Sequence, residues 1–301
     1  TGNRTARRIA LQVNEENARA SGIGAGKDRD LMVDEVLINL RSSSIDKSQL
    51  MILDMLANFD WKRPIFFTQI YILQDFGLLD YLQYDGYAYR LVPILTPVQN
   101  AYEIGRVDVD YTLPLVRDTF RYGNLNDPRV YVDYFLQYNL GASRTREMFA
   151  RVGKELLREG RVEEAVELLD MGLEKFPTSQ IRFTDMNTYP YIEGYYAAAS
   201  MGAEGAAEKG DALLREYATT LIEYIEYYFR FDGVLGDMVS DVIDTKLTEL
   251  GDIYSLASYA GRRDVVAEIN EYYRTLGVSE EYLTDVGDKP QGADSTAGMQ
   301  P

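Results

Sequence analysis

The sequence predicts an α+β fold that is mostly α, with a small N-terminal α/β unit followed by helical hairpins arranged as an α-solenoid. Apolar and β-branched stretches alternate with helical patterns between residues 33 and 110, which is typical of a small α/β unit. After residue 111 the apolar residues recur with the 3.6-residue helical period. Gly160 and Gly261 each separate two such helices, and a glycine turn at that place predicts a helical hairpin.

We expect four segments along the chain. Residues 1–32 are polar and predict a linker or edge segment, although Arg7–Val13 alternates weakly and could form a strand. The small α/β domain is expected over 33–110 and the helical repeat domain over 111–287. Residues 288–301 are small and polar, a composition typical of a disordered tail.

Three apolar stretches of the α/β unit predict strands: Val33–Leu40, Pro64–Gln69 and Tyr87–Pro93. One helix is expected to begin at Ser44, and a second is expected over Phe76–Gln83. An alternation of strand, helix, strand, helix and strand predicts parallel pairing, although it does not fix the order of the strands.

The helical part contains a stretch of 34 residues, 146–179, that predicts two short helices with a turn at Gly160. The small residues Gly153 and Ala165 would let these helices approach closely, and Pro177 ends the second one. This length and pattern resemble one tetratricopeptide repeat. Residues 191–231 and 239–276 predict two further hairpins, and three hairpins are enough to bury a shared face.

Composition excludes several classes of function. The chain has 31 basic and 48 acidic residues and a formal charge of −17, which disfavours nucleic acid and anionic membrane surfaces as partners. It has no His and no Cys, so histidine acid–base chemistry and thiol nucleophiles are excluded within this chain. No run of about 18 apolar residues is present, so we predict no membrane-spanning segment. We also predict no cofactor, no metal site and no catalytic residue.

Two patterns imitate binding sites. Ser21–Lys27 is rich in glycine, but Asp28 stands where a phosphate-binding loop carries Ser or Thr. Asp108 and Asp110 have the spacing that many metal-dependent sugar transferases use, but this spacing is common by chance. We interpret the first as a flexible loop and assign no metal to the second.

Tyrosine is unusually frequent, with 24 residues concentrated near positions 81–89, 189–196 and 224–228. A tyrosine ring can stack on a sugar while its hydroxyl donates or accepts a hydrogen bond. We therefore take Tyr189, Tyr191 and Tyr195 as candidate glycan-binding residues. The alternative, which we favour, is that rings at helical spacing pack against a neighbouring helix.

Two further stretches carry a family resemblance. Residues 58–67 (NFDWKRPIFF) and 86–93 (GYAYRLVP) resemble the W-x-R-P-I-[YF]-F and G-x-x-Y-R-L-V-P signatures of a bacterial polytopic membrane family. That family is related to the protein O-mannosyltransferases, which use lipid-phosphate-linked sugars. The resemblance covers roughly residues 33–177 and implies a catalytic membrane half followed by a soluble half with tetratricopeptide-like helices. Because that membrane half would lie outside this chain, no catalytic residue is carried over.

The signatures single out Trp61, Arg63, Tyr89 and Arg90 as candidate binding residues. The two arginines flank apolar strands, where they could hold a phosphate or carboxylate. The alternative, which we favour, is that each arginine pairs with a local acid such as Asp60 or Asp85 and fixes a strand end.

The leading hypothesis is a non-catalytic, extracytoplasmic (periplasmic) part of a membrane glycosyltransferase-like protein, tethered to the inner membrane through an upstream region. It would act as a scaffold, or as an arm that binds a protein acceptor, a glycan or its own membrane half. The alternative is a free-standing tetratricopeptide-type module that binds acidic peptides. Its candidate binding residues are Arg144, Arg146, Arg151 and Arg158, of which Arg151 and Arg158 lie seven residues apart on one helix face. A glycan-processing enzyme with paired carboxylates is a weaker third possibility, because no pair can be named. Since the chain begins Thr1-Gly2-Asn3 without Met, we expect a fragment or a processed product.

Overall fold

The computed structural model describes residues 8–24, 26–41, 44–98, 103–138 and 141–277. It divides the chain into two compact units, residues 1–123 and 124–301. The boundary therefore falls after residue 123, whereas we had expected it at residue 110. The predicted tail, 288–301, lies outside the described residues.

The first unit combines short strands with short helices. Its strands are β1 (Arg8–Gln12), β2 (Glu35–Asn39), β3 (Phe66–Phe67), β4 (Leu82–Tyr84) and β5 (Tyr89–Leu91). Its α-helices are α1 (Glu15–Ala20), α2 (Lys47–Ala57) and α3 (Val109–Pro114). The segments Gly26–Leu31, Tyr71–Phe76 and Leu79–Tyr81 form 3-10 turns.

The polar N-terminal segment is an integral part of this unit. Strand β1 pairs antiparallel with β2, and Leu11 lies opposite Val36, both of them buried. Helix α1 begins after Asn14, whose side chain accepts a hydrogen bond from the Asn17 N–H. Ala18 of this helix is fully buried in the core of the unit. The weakly alternating stretch thus contains a strand, and this N-terminal segment contributes Leu11 and Ala18 to the core of the unit.

The prediction of parallel strands is wrong. The second sheet has the order β3-β5-β4, and both of its pairings are antiparallel. Only residues 85–88 separate β4 from β5, and a parallel crossover needs about a dozen residues or more. The helix predicted over Phe76–Gln83 is also absent, because 3-10 turns and strand β4 occupy that stretch.

The second unit is entirely helical in its described part. Its helices are α4 (Tyr134–Tyr138), α5 (Ala142–Arg158), α6 (Val162–Lys175), α7 (Asp185–Ser200), α8 (Ala206–Tyr228), α9 (Gly233–Tyr259) and α10 (Arg263–Thr275). Helix α5 packs on α6 and α7, and α7, α8, α9 and α10 pack in succession. The predicted fold class is therefore confirmed, with a small α+β unit and a larger array of helical hairpins.

Close contacts between helices explain the small residues of the first hairpin. A Cβ added at Gly153 would lie 3.3 Å from the Leu169 side chain. A Cβ at Gly172 would meet the Tyr191 hydroxyl and would approach Phe149 to 2.9 Å. Neither side chain can move away to make room for the Cβ, because Phe149 and Tyr191 are both fully buried. These glycines set the spacing of α5, α6 and α7.

A buried arginine fixes the connection between the first two hairpins. Arg146 of α5 is fully buried, and its guanidinium donates to the carbonyls of Phe176, Ile181 and Arg182 at 3.2, 3.0 and 2.9 Å. It also donates to the Asn187 side chain at 2.8 Å. Asn187 is the third residue of α7 and completes a capping box with Thr184. Arg146 therefore determines where α7 begins.

Replacing Gly172 with Ala should destabilise the helical unit. The added methyl group has no room between Tyr191 and Phe149, and overpacking a core costs about 1–3 kcal/mol. This cost should exceed the gain in helix propensity of about 1 kcal/mol. Urea unfolding followed by far-ultraviolet circular dichroism would measure the change.

Gly251→Ala is the matched control for this substitution. Gly251 also lies inside a helix, but its added Cβ would be 4.0 Å from the Tyr273 hydroxyl, an ordinary van der Waals contact. We expect unchanged stability or a gain of up to about 1 kcal/mol. Equal effects of the two substitutions would contradict the packing role of Gly172.

Candidate functional site

Trp61, the first signature residue, is a structural anchor. Its side chain is 1 % exposed, and its indole N–H donates to the Gln12 carbonyl at 2.9 Å. Its ring lies 4.5 Å from that of Phe59. The backbone of Trp61 has a φ of 66°, a conformation that costs a bulky residue free energy and is kept only where its surroundings hold it. The indole binds the end of β1 and is not available to a ligand.

Arg90 lies in a buried ion pair with Asp85. The two side chains approach to 3.1 Å and are 1 % and 4 % exposed. The Arg90 guanidinium also lies 4.2 Å from the centre of the Tyr111 ring, a favourable cation–π distance. Burial raises the pKa of Asp85, although the positive charge of Arg90 opposes the shift. The structure thus shows the local pairing that we favoured for Arg90.

The ion pair belongs to a larger buried network. Gln83 donates to Asp85 at 2.8 Å and accepts from Arg106 at 2.9 Å. Arg106 in turn pairs with Asp28 at 2.7 Å, and both of these side chains are largely buried. Asp28 is the residue that departs from a phosphate-binding pattern in the glycine-rich stretch. The ion pair between its carboxylate and Arg106 holds that stretch against the rest of the unit.

The other two signature residues lie nearer the surface. Arg63 is exposed and has no ion pair with Asp60 among the described residues; instead Lys62 lies 3.3 Å from that carboxylate. Tyr89 is half-buried, and its ring packs against Tyr84 at 5.3 Å. The structure therefore does not bring the two signature arginines into one anion-binding arrangement, since Arg90 is enclosed and Arg63 is not.

The acidic pair Asp108 and Asp110 marks a helix start. Asp108 is the N-cap of α3 and accepts from the Tyr111 N–H at 3.3 Å. Asp110 lies in the first turn, where a negative charge opposes the helix dipole. Among the residues that the structure describes, no three or more acidic side chains are grouped so that they could hold a metal ion.

The candidate tyrosines of α7 serve mainly as packing residues. Tyr191 is fully buried and donates to the Arg146 carbonyl at 2.9 Å. Tyr195 is 1 % exposed and donates to Asp170 at 2.9 Å, and burial followed by the Asp170 charge raises its pKa. Tyr189 is half-buried, and its pKa is raised first by burial and then by Glu193. Two of the three rings are thus enclosed by helices, as in the alternative that we favoured for this cluster.

The candidate peptide-binding arginines Arg144, Arg146, Arg151 and Arg158 lie on α5. The prediction is wrong for Arg146, which is fully buried and donates to backbone carbonyls. Arg158 is 57 % exposed and pairs with Glu155 at 2.9 Å. Arg151 is half-buried. Surface ion pairs of this kind are weak, so Arg158 is accessible to solvent and to solutes.

One exposed apolar region of the helical unit was not among the sites predicted from the sequence. It lies at the end of α8 and the start of α9, and we call it the α8–α9 surface. Its members are Tyr224, Tyr227, Tyr228, Phe229, Phe231, Val234, Leu235, Met238 and Val242. Tyr227 and Phe229 are about half exposed, whereas Val234 and Met238 are 76 % and 73 % exposed. The concentration of tyrosine at 224–228 pointed to this region. Its helical spacing, however, predicted that the rings pack against a neighbouring helix.

The aromatic part of this surface is pre-arranged by contacts between its own rings. Tyr224 and Tyr228 stack at 6.4 Å with an interplanar angle of 13°. Tyr227 meets Phe231 edge to face at 5.4 Å. A cleft of about 370 Å³ opens beside these rings, with Thr220 and Glu223 also lining it. The cleft is the size of a small ligand site.

The aliphatic part of the surface comes from the first half of α9. No residue from Gly233 to Thr248 is buried, and the buried residues of this helix begin at Glu249. Gly236 lies against the Phe231 carbonyl, which a Cβ would approach to 3.0 Å. The beginning of α9 therefore abuts the end of α8, while Val234, Leu235 and Met238 of this half-helix are exposed to solvent.

None of the described helices combines the length and the apolar character needed to cross a membrane. Comparison with known proteins gives one match. A family model described as TMEM260-associated domain 2 matches residues 5–111, so the first unit is similar to that domain. The match covers about a third of the 301 residues. It includes both signature stretches and ends before the helical hairpins. No curated protein and no solved structure matches the chain.

Replacing Arg90 with Met should strongly destabilise the first unit. The change leaves the Asp85 carboxylate buried without its cation, and breaking a buried pair in this way costs about 3–5 kcal/mol. The matched control Arg63→Met removes an exposed charge and should change stability by less than about 0.5 kcal/mol. Trp61 is the only tryptophan, so its fluorescence during urea unfolding would follow this unit.

The loss in the Arg90→Met variant should depend on pH. Burial already raises the pKa of Asp85, and removal of Arg90 removes the charge that opposes this shift. A carboxyl group whose folded pKa is raised destabilises the fold at pH values above that pKa, and protonation relieves the cost. The deficit should therefore shrink as the pH falls from 7 toward 5. A deficit that does not change with pH would contradict this assignment.

Proposed function

We propose that this chain is the non-catalytic, partner-binding part of a membrane protein related to glycosyltransferases. The match of residues 5–111 to TMEM260-associated domain 2 supports this relation. The two signature stretches lie inside the matched region and support the same relation. The sugar-transfer chemistry of such a protein would belong to a membrane-embedded part outside this chain.

The single observation that carries a binding role is the α8–α9 surface. Soluble proteins rarely leave contiguous large apolar patches in contact with water, and such patches mark interaction sites. By contrast, Trp61 and Arg90 are enclosed in the first unit, where they hold strands together. This contrast favours a structural role for the signature residues Trp61 and Arg90 of the first unit and a binding role for the helical unit.

The proposed setting is extracytoplasmic, with the chain tethered to a membrane through an upstream region. The natural coding sequence tests this directly, since it should encode several transmembrane helices upstream of Thr1. A soluble upstream sequence would overturn the proposed setting.

Photocrosslinking in the natural full-length protein would test the binding role. A photoreactive phenylalanine analogue at Met238 should crosslink to a polypeptide, either the membrane part of the same protein or a separate acceptor. The matched control is the same analogue at Tyr259, which is 94 % exposed at the other end of α9 and should not crosslink. Equal crosslinking at both positions, or none at Met238, would contradict a binding role for the α8–α9 surface.

A glycan is the second candidate ligand, and the cleft beside Tyr224 and Tyr228 favours it. Tyrosine rings offer a flat face to a sugar, and Glu223 could accept hydrogen bonds from its hydroxyl groups. A glycan array probed with the purified chain would reveal this activity. Binding lost in the Tyr224→Ala variant, but kept in Tyr259→Ala, would place a sugar in the cleft.

A further inference from the structure

We propose that the occupant of the α8–α9 surface is an amphipathic polypeptide helix with one apolar face and basic flanks. This inference rests on the proposed function for the existence of a polypeptide partner, and it adds the chemistry by which that partner is recognised. Three features of the surface lead to it: its shape along α9, the acidic residues at its edge, and its unsuitability for other occupants.

The exposed apolar residues of α9 form a continuous stripe. Val234, Leu235, Met238 and Val242 fall within an arc of about 100° on a helix of 3.6 residues per turn. From Val234 to Val242 the stripe is about 12 Å long. The end of α8 lies next to this stripe, because the Phe231 carbonyl lies against Gly236 of α9. A stripe of this width and length matches the apolar face of a partner helix of two or three turns.

Acidic residues border this stripe on one side. Asp237, Asp241 and Asp244 follow one another at helical spacing and lie beyond Val234 on the exposed side of α9. Between residues 220 and 245 the sequence has six acidic residues and one basic residue, Arg230. A partner whose apolar face is flanked by Lys or Arg would therefore be attracted, and a partner flanked by acids would be repelled.

The same charges argue against the other occupants of an apolar face. A second copy of this chain would bring identical acidic residues to the interface. An anionic lipid surface would be repelled by a chain with a net charge of −17. The C-terminal sequence from residue 278 onward contains five acidic residues and one basic residue, so it lacks the basic flanks that the surface favours.

Binding of two designed peptides to the purified chain would test the inference. Both are helical peptides of about 14 residues with the same leucine face, and they differ only in having Lys or Glu at the flanking positions. Fluorescence anisotropy should show at least about tenfold tighter binding of the Lys peptide at low salt. This preference should shrink at about 1 M salt, where the Debye length is only about 3 Å.

Two double variants locate the binding. Leu235→Ser with Met238→Ser should weaken binding of the Lys peptide by at least about tenfold, because the apolar contact is lost. Asp237→Asn with Asp241→Asn should weaken it by about three- to tenfold and should reduce its salt dependence. The matched control, Glu163→Gln with Glu167→Gln, neutralises two exposed acids on α6 and should leave binding unchanged.

Several outcomes would overturn the inference. These are equal binding of the Lys and Glu peptides, no binding of either, or Lys-peptide binding that survives the Leu235→Ser, Met238→Ser change. Concentration-dependent self-association lost in that variant would assign the surface to a second copy. Binding of zwitterionic vesicles in place of the Lys peptide would assign it to lipid, and glycan-array binding without peptide binding would assign it to a sugar.

The two proposals fail in distinguishable ways. If Met238 crosslinks to a polypeptide but the Lys peptide shows no preference, the binding role stands and the partner chemistry is overturned. If the Lys peptide binds but Met238 does not crosslink in the full-length protein, the proposed function is overturned.

Discussion

The arrangement of the helical unit depends on one buried cation. Arg146 gives up its hydration to bind the carbonyls of Phe176, Ile181 and Arg182 and the side chain of Asn187. Hydrogen bonds from a charged donor are stronger than neutral ones, and leaving such a group unpaired in the interior is costly. The chain between α6 and α7 therefore has little freedom to take another path. Helix α8 packs on α7 and α9 packs on α8, so the later helices are built on the helix whose start Arg146 holds.

The hairpins of the helical unit could be predicted from sequence because their signals are local. Gly153 and Gly172 permit close approach, and Gly160 turns the chain with a φ of 76°. Strands β1, β2, β3 and β5 fall within stretches predicted to be strands, whereas β4 overlaps a stretch predicted to be a helix. Their direction could not be predicted, because it depends on the length and path of connections that proved to be 3-10 turns. The role of the polar N-terminal segment was likewise hidden, since the indole of Trp61 holds it to the core through a contact 49 residues away in sequence.

The candidate site shows a different limit of sequence reasoning. Tyr191, Tyr195, Tyr224 and Tyr228 have the same chemistry and similar spacing, yet the first two are enclosed and the last two border an open cleft. A periodic pattern identifies the apolar face of a helix. It does not say whether another helix of this chain packs on that face or whether the face stays exposed. The signature arginines illustrate the same point. Arg90 faces inward and meets Asp85, whereas Arg63 precedes Pro64 in an exposed turn, and only the three-dimensional structure separates the two.

The high negative charge of the chain fits an exposed aromatic surface. An uncovered apolar patch favours self-association, and like charges around it oppose that association because two copies would bring the same acids together. Tyr227 at the end of α8 is 52 % exposed, and a tyrosine ring can make apolar contact while its hydroxyl forms hydrogen bonds. Asp237, Asp241 and Asp244 can therefore have two effects that follow from one cause. They keep the free chain apart from its own copies, and they favour a partner that carries the opposite charge.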